Sequence, residues 1–320
     1  PICLSILRNM MDCVWRCDDN QLDNSRAGCQ LEAMNNPGIQ ISELPQLNQP
    51  LMIAGFDGWG NALRISSGMA TYLIRKLNAE KFASINPDTF FRYDEARPIV
   101  QIEEGMLKNL VPPGGSFYAV QIAGGKHDIV ILKTDEPALR WNQFVDDMFA
   151  LCKQLDIRTI ITLGSMYDNV LHTDRVISGL ASTDSLISLL KEKNVNSISY
   201  HGPSAIHSII QAKGSKAGFQ CLSLWCHCPF YLQGTTHYGI LSHLGALLSF
   251  LGDFELDTAD LEDRWQGLNE QIQELIKSNA EIQSIISELR KSKVRGSTAG
   301  MRGTLKDEKV IDIKDFLEPK

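Results

Sequence analysis

LMIAGFDGWGNALRISSGMATYLIRKL, residues 51–77, runs from an apolar strand through a glycine-rich turn into a helix of small and apolar residues. The strand LMIAGF shows no alternation of polar and apolar residues, which is typical of a strand covered on both faces. The turn GFDGWG holds three glycines, one acid and one large aromatic residue. Since open α/β sheets bind ligands where a strand passes into a helix, this stretch indicates both the fold class and the first candidate site.

Strands and helices alternate along the rest of the chain. Apolar runs predict strands at 51–56, 97–102, 117–122, 128–132, 158–163 and 219–225, and helical spacing predicts helices at 61–77, 140–155, 183–192, 204–217 and 237–251. The pair FYAVQIAGGKHDIVIL, residues 117–132, places two strands about a GGK turn and predicts a β-hairpin. The expected fold is therefore α/β, a three-layer sandwich with a mixed, mostly parallel sheet.

Beyond Gly252 the pattern becomes purely helical. Apolar residues at a 4-3 spacing are Leu261, Trp265, Leu268, Ile272, Leu275, Ile282, Ile286 and Leu289, with Asn279 in the one polar slot. A continuous coiled coil with a buried Asn279 would explain this spacing. The capping box Ser278-Asn279-Ala280-Glu281 favours instead a helical hairpin that turns at Ser278.

The composition divides the chain into an extension (1–47), an α/β core (48–252), a helical hairpin (253–293) and a flexible tail (294–320). Residues 1–33 have no helical or strand period, and Met34 is a plausible true start. The extension is therefore expected to be disordered, and residues 1–33 to be unnecessary for folding. It lacks the basic segment and the cleavage site of a signal peptide.

Charge and cysteine spacing exclude several classes of function. A net charge of -7 gives no electrostatic reason to bind nucleic acid, and no apolar run reaches the length of a membrane span. Cys13 and Cys17 have no second cysteine pair nearby, and Cys226-His227-Cys228 is too tightly spaced for a zinc knuckle. We therefore expect a cytoplasmic protein with reduced thiols and no metal.

Four loops are expected to share one rim of the sheet, because the carboxyl ends of parallel strands meet at one edge. They are GFDGWG (55–60), LGSMYDNVLHTDRV (163–176), YHGPSAIHS (200–208) and SLWCHCPFYL (223–232). The residues predicted to line a pocket at this rim are Gly55, Asp57, Gly58, Trp59, Gly60, Asn61, Gly164, His172, Thr173, Gly202, Pro203, Trp225 and Pro229.

Two interpretations of this rim remain open. Asp57, His172 and His227, with His201, have the side-chain types of acid–base catalysis and would suit a hydrolase. Alternatively these side chains satisfy loop backbone groups, and Trp59 packs or meets a partner. The spacing of GFDGWG matches neither the dinucleotide nor the P-loop motif, and Asp57 would repel a phosphate. No recognised nucleophile motif surrounds Cys226 or Cys228, so the residues favour the non-catalytic interpretation without a cofactor.

Five blocks in order resemble the proteasome assembly chaperone family, in the branch of the second chaperone. They are GFDGWGNA, EPALRWNQF (136–144), TLGSMYDNVLHTDRV, YHGPSAIHS and SLWCHCPFYL. The resemblance spans about residues 48–290 and points to a bacterial or archaeal type of member. It implies a fold similar to that of purine nucleoside phosphorylases, and a non-enzymatic chaperone or adaptor that acts through protein–protein contacts. The alternative implied by fold analogy is a nucleosidase- or phosphorylase-like hydrolase.

The resemblance also implies partners. Family members tend to self-associate, and we expect a homo-oligomer with a trimer as the first choice, together with proteasome core subunits or another protein. Members that dock on the proteasome often carry a tyrosine just before their last residue, whereas this sequence ends FLEPK (316–320). The block GFDGWG is often followed by an acid in the family, and Asn61 stands there instead, where it can cap the helix in the same way.

Overall fold

The computed structural model describes residues 38–294 and shows a sheet with helices on both faces. The strands are β1 (Ile39–Ile41), β2 (Leu51–Asp57), β3 (Glu80–Ile85), β4 (Ile99–Glu103), β5 (Met106–Val111), β6 (Gly115–Val120), β7 (Ile129–Asp135), β8 (Thr159–Asp168), β9 (Ile177–Ala181), β10 (Asn196–Ser197) and β11 (Gln220–Pro229). The helices are α1 (Ile65–Lys76), α2 (Pro87–Phe90), α3 (Trp141–Gln154), α4 (Asp184–Glu192), α5 (Ile206–Lys216), α6 (Tyr238–Gly252), α7 (Ala259–Ser278) and α8 (Ala280–Val294).

The predicted mixed sheet is confirmed, and its parallel strands lie at the centre. Nine strands pair in the order β1-β3-β6-β7-β2-β8-β11-β9-β10. The four central strands β7, β2, β8 and β11 are mutually parallel, while β1, β3 and β6 are antiparallel to their neighbours. The predicted hairpin is also present, with Val120 opposite Ile129 in β6 and β7. The carboxyl ends of β7, β2, β8 and β11 therefore form one edge of the sheet.

Burial on both faces explains the unbroken apolar runs. Along β2, Ile53 packs into the core on the side of α1 and α6, while Met52 packs into the core on the side of α3 and α5. Both side chains have no accessible surface. Because consecutive residues of a strand face opposite sides, a strand between two helical layers needs apolar residues at every position.

The segment predicted as a strand at 97–102 lies outside the main sheet. It forms β4, which pairs with β5 in a separate two-stranded hairpin and not with the main sheet. Every residue of both strands is exposed. Pro98 before β4 and Pro112-Pro113 after β5 cannot donate backbone hydrogen bonds, which separates the hairpin from the regular pairing of its neighbours.

The C-terminal helices form the predicted pair, but the cap differs from the prediction. Asn279 lies between α7 and α8, and its Oδ1 accepts a hydrogen bond from the amide of Ile282 at 3.2 Å. The hydroxyl of Ser278 instead donates back to the carbonyl of Glu274 at 3.0 Å. The capping-box assignment to Ser278 was therefore wrong by one residue, because Ser278 still belongs to α7. Trp265 and Ile272 of α7 are buried against the core.

The amino-terminal boundary also differs from the expected one. The extension was predicted to run to residue 47, yet Ile39–Ile41 forms β1 and pairs antiparallel with β3. Without β1, β3 would be the outermost strand on this side of the sheet, with a row of unpaired backbone groups. Residues 39–41 supply the hydrogen-bond partners for that row. The predictions for residues 1–33, and for the tail 294–320 beyond its first residue, lie outside the described residues. Within residues 38–294, no helix is long and apolar enough to cross a membrane.

Candidate functional site

The GFDGWG turn follows β2 at the carboxyl edge of the sheet, and Asp57 is bonded there to side chains. Its Oδ1 accepts from Asn61 Nδ2 at 2.9 Å, and its Oδ2 accepts from Arg64 Nη2 at 3.1 Å. The sequence suggested that Asp57 satisfies amides of the turn, but the Trp59 amide donates to Glu136 Oε2 at 3.3 Å. Asp57 therefore joins the turn to the segment that leads into α1.

Asn61 caps the first turn of α1 across a short 3-10 turn, Ala62–Arg64. Its Oδ1 accepts from the amides of Ser66 at 2.9 Å and Ser67 at 3.3 Å. The same side chain donates to Ser67 Oγ at 2.9 Å, in addition to its bond with Asp57. Asn61 is nearly buried, so these four bonds hold the start of the helix where solvent cannot replace them.

Glycines at this edge make room for one indole ring. A Cβ on Gly164 would lie 2.7 to 2.9 Å from three atoms of the Trp225 ring, and one on Gly60 would lie 3.1 Å from it. The Trp225 indole donates to Ser223 Oγ at 3.0 Å and packs against His207, with ring centroids 4.9 Å apart. Trp225, Gly60 and Gly164 therefore come together as predicted neighbours, and the contact between them is packing.

Glu136 is a residue that the candidate list missed, although it opens the block EPALRWNQF. It follows β7, and its Oε1 accepts from the amide of Ile206, the first residue of α5, at 2.8 Å. Its other oxygen holds the Trp59 amide, as described above. A Cβ on Gly58 would lie 2.8 Å from the Glu136 side chain, so only glycine permits this approach. The helix dipole stabilises a carboxylate at a helix N-terminus. Glu136 therefore holds the GFDGWG turn beside the start of α5.

Large aromatic and aliphatic side chains are exposed along this same edge. From here on, the rim means this group of side chains. It comprises Trp59 after β2, Leu139 after β7, Tyr167 at the end of β8 and Tyr200 in the loop before α5. Trp59 is 64% exposed, and the other three are exposed to between 41% and 44%. Gly202 leaves room for the Tyr200 ring, whose hydroxyl donates to the Pro203 carbonyl at 2.8 Å. The rim presents large side chains to solvent on a backbone fixed by Asn61 and Glu136.

His172 lies in a buried polar cluster on the side of the sheet that α6 and α7 cover. Its amide donates to the Tyr231 hydroxyl at 2.6 Å, and its ring nitrogens lie 2.9 Å from that hydroxyl and 3.1 Å from Gln273 Nε2. Burial, and then the positive charge of Arg290, lowers the pKa of His172 to about 4. A neutral, enclosed imidazole ties the loop after β8 to α7. Its neighbour Thr173 is exposed.

His227 belongs to a hydrogen-bonded chain of three side chains. Its Nδ1 lies 2.7 Å from Asp168 Oδ2, and its Nε2 lies 2.7 Å from Ser178 Oγ. The hydrogen bond from His227 holds the pKa of Asp168 below its usual range. This order of acid, imidazole and hydroxyl matches that of a serine hydrolase. Ser178 is only 3% exposed, however, in β9 beside Trp225.

The predicted catalytic candidates are therefore held by different partners. Asp57 bonds Asn61 and Arg64, His172 bonds Tyr231, and His227 bonds Asp168 and Ser178. His201 is exposed in its loop, and Pro229 is buried at the end of β11.

The cysteines considered as nucleophiles are buried. Burial raises the pKa of Cys228 to about 12 and the pKa of Cys226 well above its usual value, so both stay as unreactive thiols. Within residues 38–294, no three or more His, Cys, Asp or Glu side chains are grouped in a way that could hold a metal ion.

The sequence and the structure both match known proteins. The model of the PAC2 family matches residues 52–276, and no curated protein matches the chain. Among solved structures, a PAC2 family protein from Streptomyces avermitilis is 25% identical with a TM-score of 0.66, over 74% of this chain and 99% of the other. A proteasome-assembly chaperone homologue from Mycobacterium tuberculosis is 23% identical, with a TM-score of 0.68 over the same shares.

An archaeal proteasome activator from Pyrococcus furiosus, PbaB, is more distant. It is 17% identical with a TM-score of 0.58, over 74% of this chain and 97% of the other. At this identity, and at that of the mycobacterial protein, the likeness shows a common fold. The shared fold covers nearly the whole of each of these three proteins.

Proposed function

Because this chain belongs to the PAC2 family, we propose that it is a non-enzymatic assembly-chaperone-like or adaptor protein that acts through protein–protein contacts. Two relatives in fold are described as a proteasome-assembly chaperone homologue and an archaeal proteasome activator, which supports a protein as the partner. Proteasome core subunits are the first candidates for that partner. A cytoplasmic location stays a prediction.

The observation that carries this proposal is the exposed rim. Trp59 has 64% of its surface in solvent although its backbone is fixed by the Glu136 carboxylate. Tryptophan and tyrosine are the residues that most often dominate binding energy at protein interfaces, because they bury a large area with few rotamers. A rigid turn that holds an exposed indole loses little conformational entropy when a partner covers it.

Capture of partners tests this role of the rim. A tagged wild-type chain and its Trp59→Ala variant are purified from the native cell, and the bound proteins are identified by mass spectrometry. Phe250→Ala is the matched control, because Phe250 is an aromatic residue with 43% exposure on α6, away from the rim. We expect Trp59→Ala to lose the bound protein that both wild type and Phe250→Ala retain. Equal capture by all three would contradict the proposal.

A hydrolase is the second candidate, and the chain Asp168–His227–Ser178 is the observation that favours it. Distances of 2.7 Å on both sides of the imidazole suit proton transfer from the hydroxyl. Against it, Ser178 is buried, so a substrate carbonyl has no approach to Oγ in this conformation. Ester or nucleoside hydrolysis by the wild type that Ser178→Ala abolishes, without loss of thermal stability, would establish this candidate in place of the first.

We also propose a homo-oligomer, with a trimer as the first expectation. The amphipathic helix pair that suggested self-association on sequence grounds is engaged inside the chain. Trp265 is 6% exposed and Ile272 has no exposed surface, since both belong to the core on the side of α6. The apolar face of this helix pair is therefore not free to contact a second copy.

A further inference from the structure

A groove on the side of the sheet that α1 and α6 cover is rich in positive charge. It lies between α1, the start of α6 and the start of α7, and it encloses about 510 Å³. Five of its 15 lining residues are Lys or Arg, compared with 31 of the 320 residues of the whole chain. The five are Arg64, Arg75, Lys76, Lys133 and Arg264. We call this the basic groove. Such an enrichment of cations, in a chain of net charge -7, indicates a surface that attracts an anion.

Two of the five cations are paired with acids. Lys76 Nζ lies 3.1 Å from Asp260, the one acid that lines the described part of the groove, and Asp260 also accepts from the Tyr72 hydroxyl at 2.8 Å. Arg64 Nη2 lies 3.1 Å from Asp57. The charge of the lining acid is therefore compensated, and the two pairs fix the start and the end of α1.

The other three cations have no carboxylate partner. Arg75, Lys133 and Arg264 form no ion pair with any side chain that the structure describes, and Arg75 and Arg264 are exposed. The Arg264 guanidinium lies 5.6 Å from the centre of the Tyr238 ring, which holds its charge at the wall of the groove. A phosphate monoester carries about -1.5 to -2 charges at pH 7, so three uncompensated cations match one or two phosphate groups. The planar guanidinium also fits the geometry of phosphate oxygens.

The basic groove is larger than a single phosphate ion requires. Arg64 and Arg75 stand at opposite ends of α1, about 16 Å apart along the helix at 1.5 Å per residue. Apolar and aromatic side chains lie between the cations; they are Leu63, Leu241, Leu261, Tyr72 and Tyr238. Sites for small organic molecules usually enclose about 300–1,000 Å³, and they combine an apolar lining with a few charged groups. The groove therefore suits an organic anion of nucleotide size.

One position of α1 leaves the wall of the groove open. Gly68 lines the groove, and a Cβ built on it would have no heavy atom within 4 Å. A larger side chain there would enter the groove without meeting the rest of the described chain. Gly68 therefore offers a way to fill the groove while every charge is kept.

We propose that the basic groove binds a nucleotide-sized organic phosphate. Arg75, Lys133 and Arg264 bind the phosphate groups, and the planar or apolar part of the ligand covers the leucine and tyrosine side chains of the lining. The groove shares no residue with the rim, so this inference does not depend on the protein partner proposed for the rim.

Titration calorimetry on the full chain tests this site, in a buffer of low ionic strength because salt screens exposed charges. The probes are ADP, inorganic pyrophosphate and a polyglutamate peptide. We expect ADP to bind more tightly than pyrophosphate, which lacks the part that covers the apolar lining. Arg75→Gln/Arg264→Gln should weaken the binding of ADP by at least about tenfold, through the loss of charge-assisted hydrogen bonds. The matched control, Lys153→Gln/Lys216→Gln, removes two exposed charges on the opposite face and should bind as the wild type does.

Gly68→Leu separates the shape of the groove from its charge. Leucine is a good helix former, so the variant should stay folded by circular dichroism while its side chain fills the groove and weakens the binding of ADP. Failure of the wild type to bind either ADP or pyrophosphate at millimolar concentration would overturn the inference. So would equal binding of ADP by the wild type and both groove variants, or equal affinity for ADP and pyrophosphate. Tighter binding of polyglutamate than of ADP would instead make the groove a site for an acidic peptide and also overturn it.

Discussion

Replacing Asn61 tests the geometry that holds the rim in place. Asn61→Ala removes the acceptor for the Ser66 and Ser67 amides, and it leaves Asp57 without its Nδ2 donor. Loss of a helix cap costs about 0.5–2 kcal/mol, and an unsatisfied buried amide costs about 1–3 kcal/mol. These contributions overlap, so we expect Asn61→Ala to lower the free energy of unfolding by about 2 kcal/mol.

Asn61→Asp separates the cap from the charge. A carboxylate still accepts from both amides, and negative charge at a helix N-terminus is favourable by about 0.3–1 kcal/mol. The same substitution also replaces the Nδ2 donor, 2.9 Å from Asp57 Oδ1, with a second anion. Two unit charges 4 Å apart interact by about 4 kcal/mol at an effective dielectric constant of about 20, so repulsion outweighs the helix term. The exposed Arg64 screens this only in part.

The pH dependence of this variant has a definite sign. Repulsion by Asp57 and burial raise the folded-state pKa of the introduced carboxyl above its unfolded value of about 3.9. The proton-bound form is therefore favoured by folding, and the deficit of Asn61→Asp relative to wild type shrinks as the pH falls toward 4. Urea unfolding of wild type, Asn61→Ala and Asn61→Asp at pH 7 and pH 5 measures this. An Asn61→Ala variant within about 0.5 kcal/mol of wild type would refute the assigned role of Asn61, given the cost of a lost cap.

Two further predictions concern burial. Burial lowers the pKa of His172, His207 and His237 to about 4, so the unfolded chain takes up protons first and stability should decline between about pH 6.5 and pH 4. Urea midpoints across this range measure the decline, which His237→Phe should make shallower; a constant stability down to pH 4.5 would contradict it. Gly164→Ala should cost about 1–3 kcal/mol in thermal unfolding, because its Cβ meets the Trp225 ring. Gly68→Ala should instead stabilise α1 by up to about 1 kcal/mol, because a Cβ at Gly68 would have no heavy atom within 4 Å. Equal effects of the two substitutions would contradict this prediction.

The central strands could be predicted from sequence because strands buried on both faces are made of consecutive, mostly apolar residues. LMIAGF in β2 has no polar residue, and the polar residues of TIITL in β8 are Thr159 and Thr162, of which Thr162 is buried with its hydroxyl bonded to Ser223. β3, EKFASI, begins with two exposed polar residues, and β9, ISGLA, contains a glycine, so neither carries a clear strand pattern. β4 was recognised as a strand, but its apolar residues face solvent, and no local pattern distinguishes that from burial in the sheet.

The site was less predictable because its bonds join distant segments. Glu136 binds the Trp59 amide 77 residues away and the Ile206 amide 70 residues away, and no sequence spacing encodes these pairs. The acceptor role in the turn was assigned to Asp57, the nearest acid in sequence, whereas Asn61 donates to that carboxylate. His207 lies in the segment YHGPSAIHS (200–208), but its burial against Phe56 and Trp225 depends on two other strands.

Photo-crosslinking in the native cell tests the proposed role most directly. A photoreactive phenylalanine analogue replaces Trp59 in one strain and Phe250, outside the rim, in another. We predict that position 59 crosslinks to a specific second protein that position 250 does not reach, and that mass spectrometry identifies the same protein in repeated experiments. A Trp59 position that yields no specific protein adduct would contradict the proposal that the rim binds a protein partner.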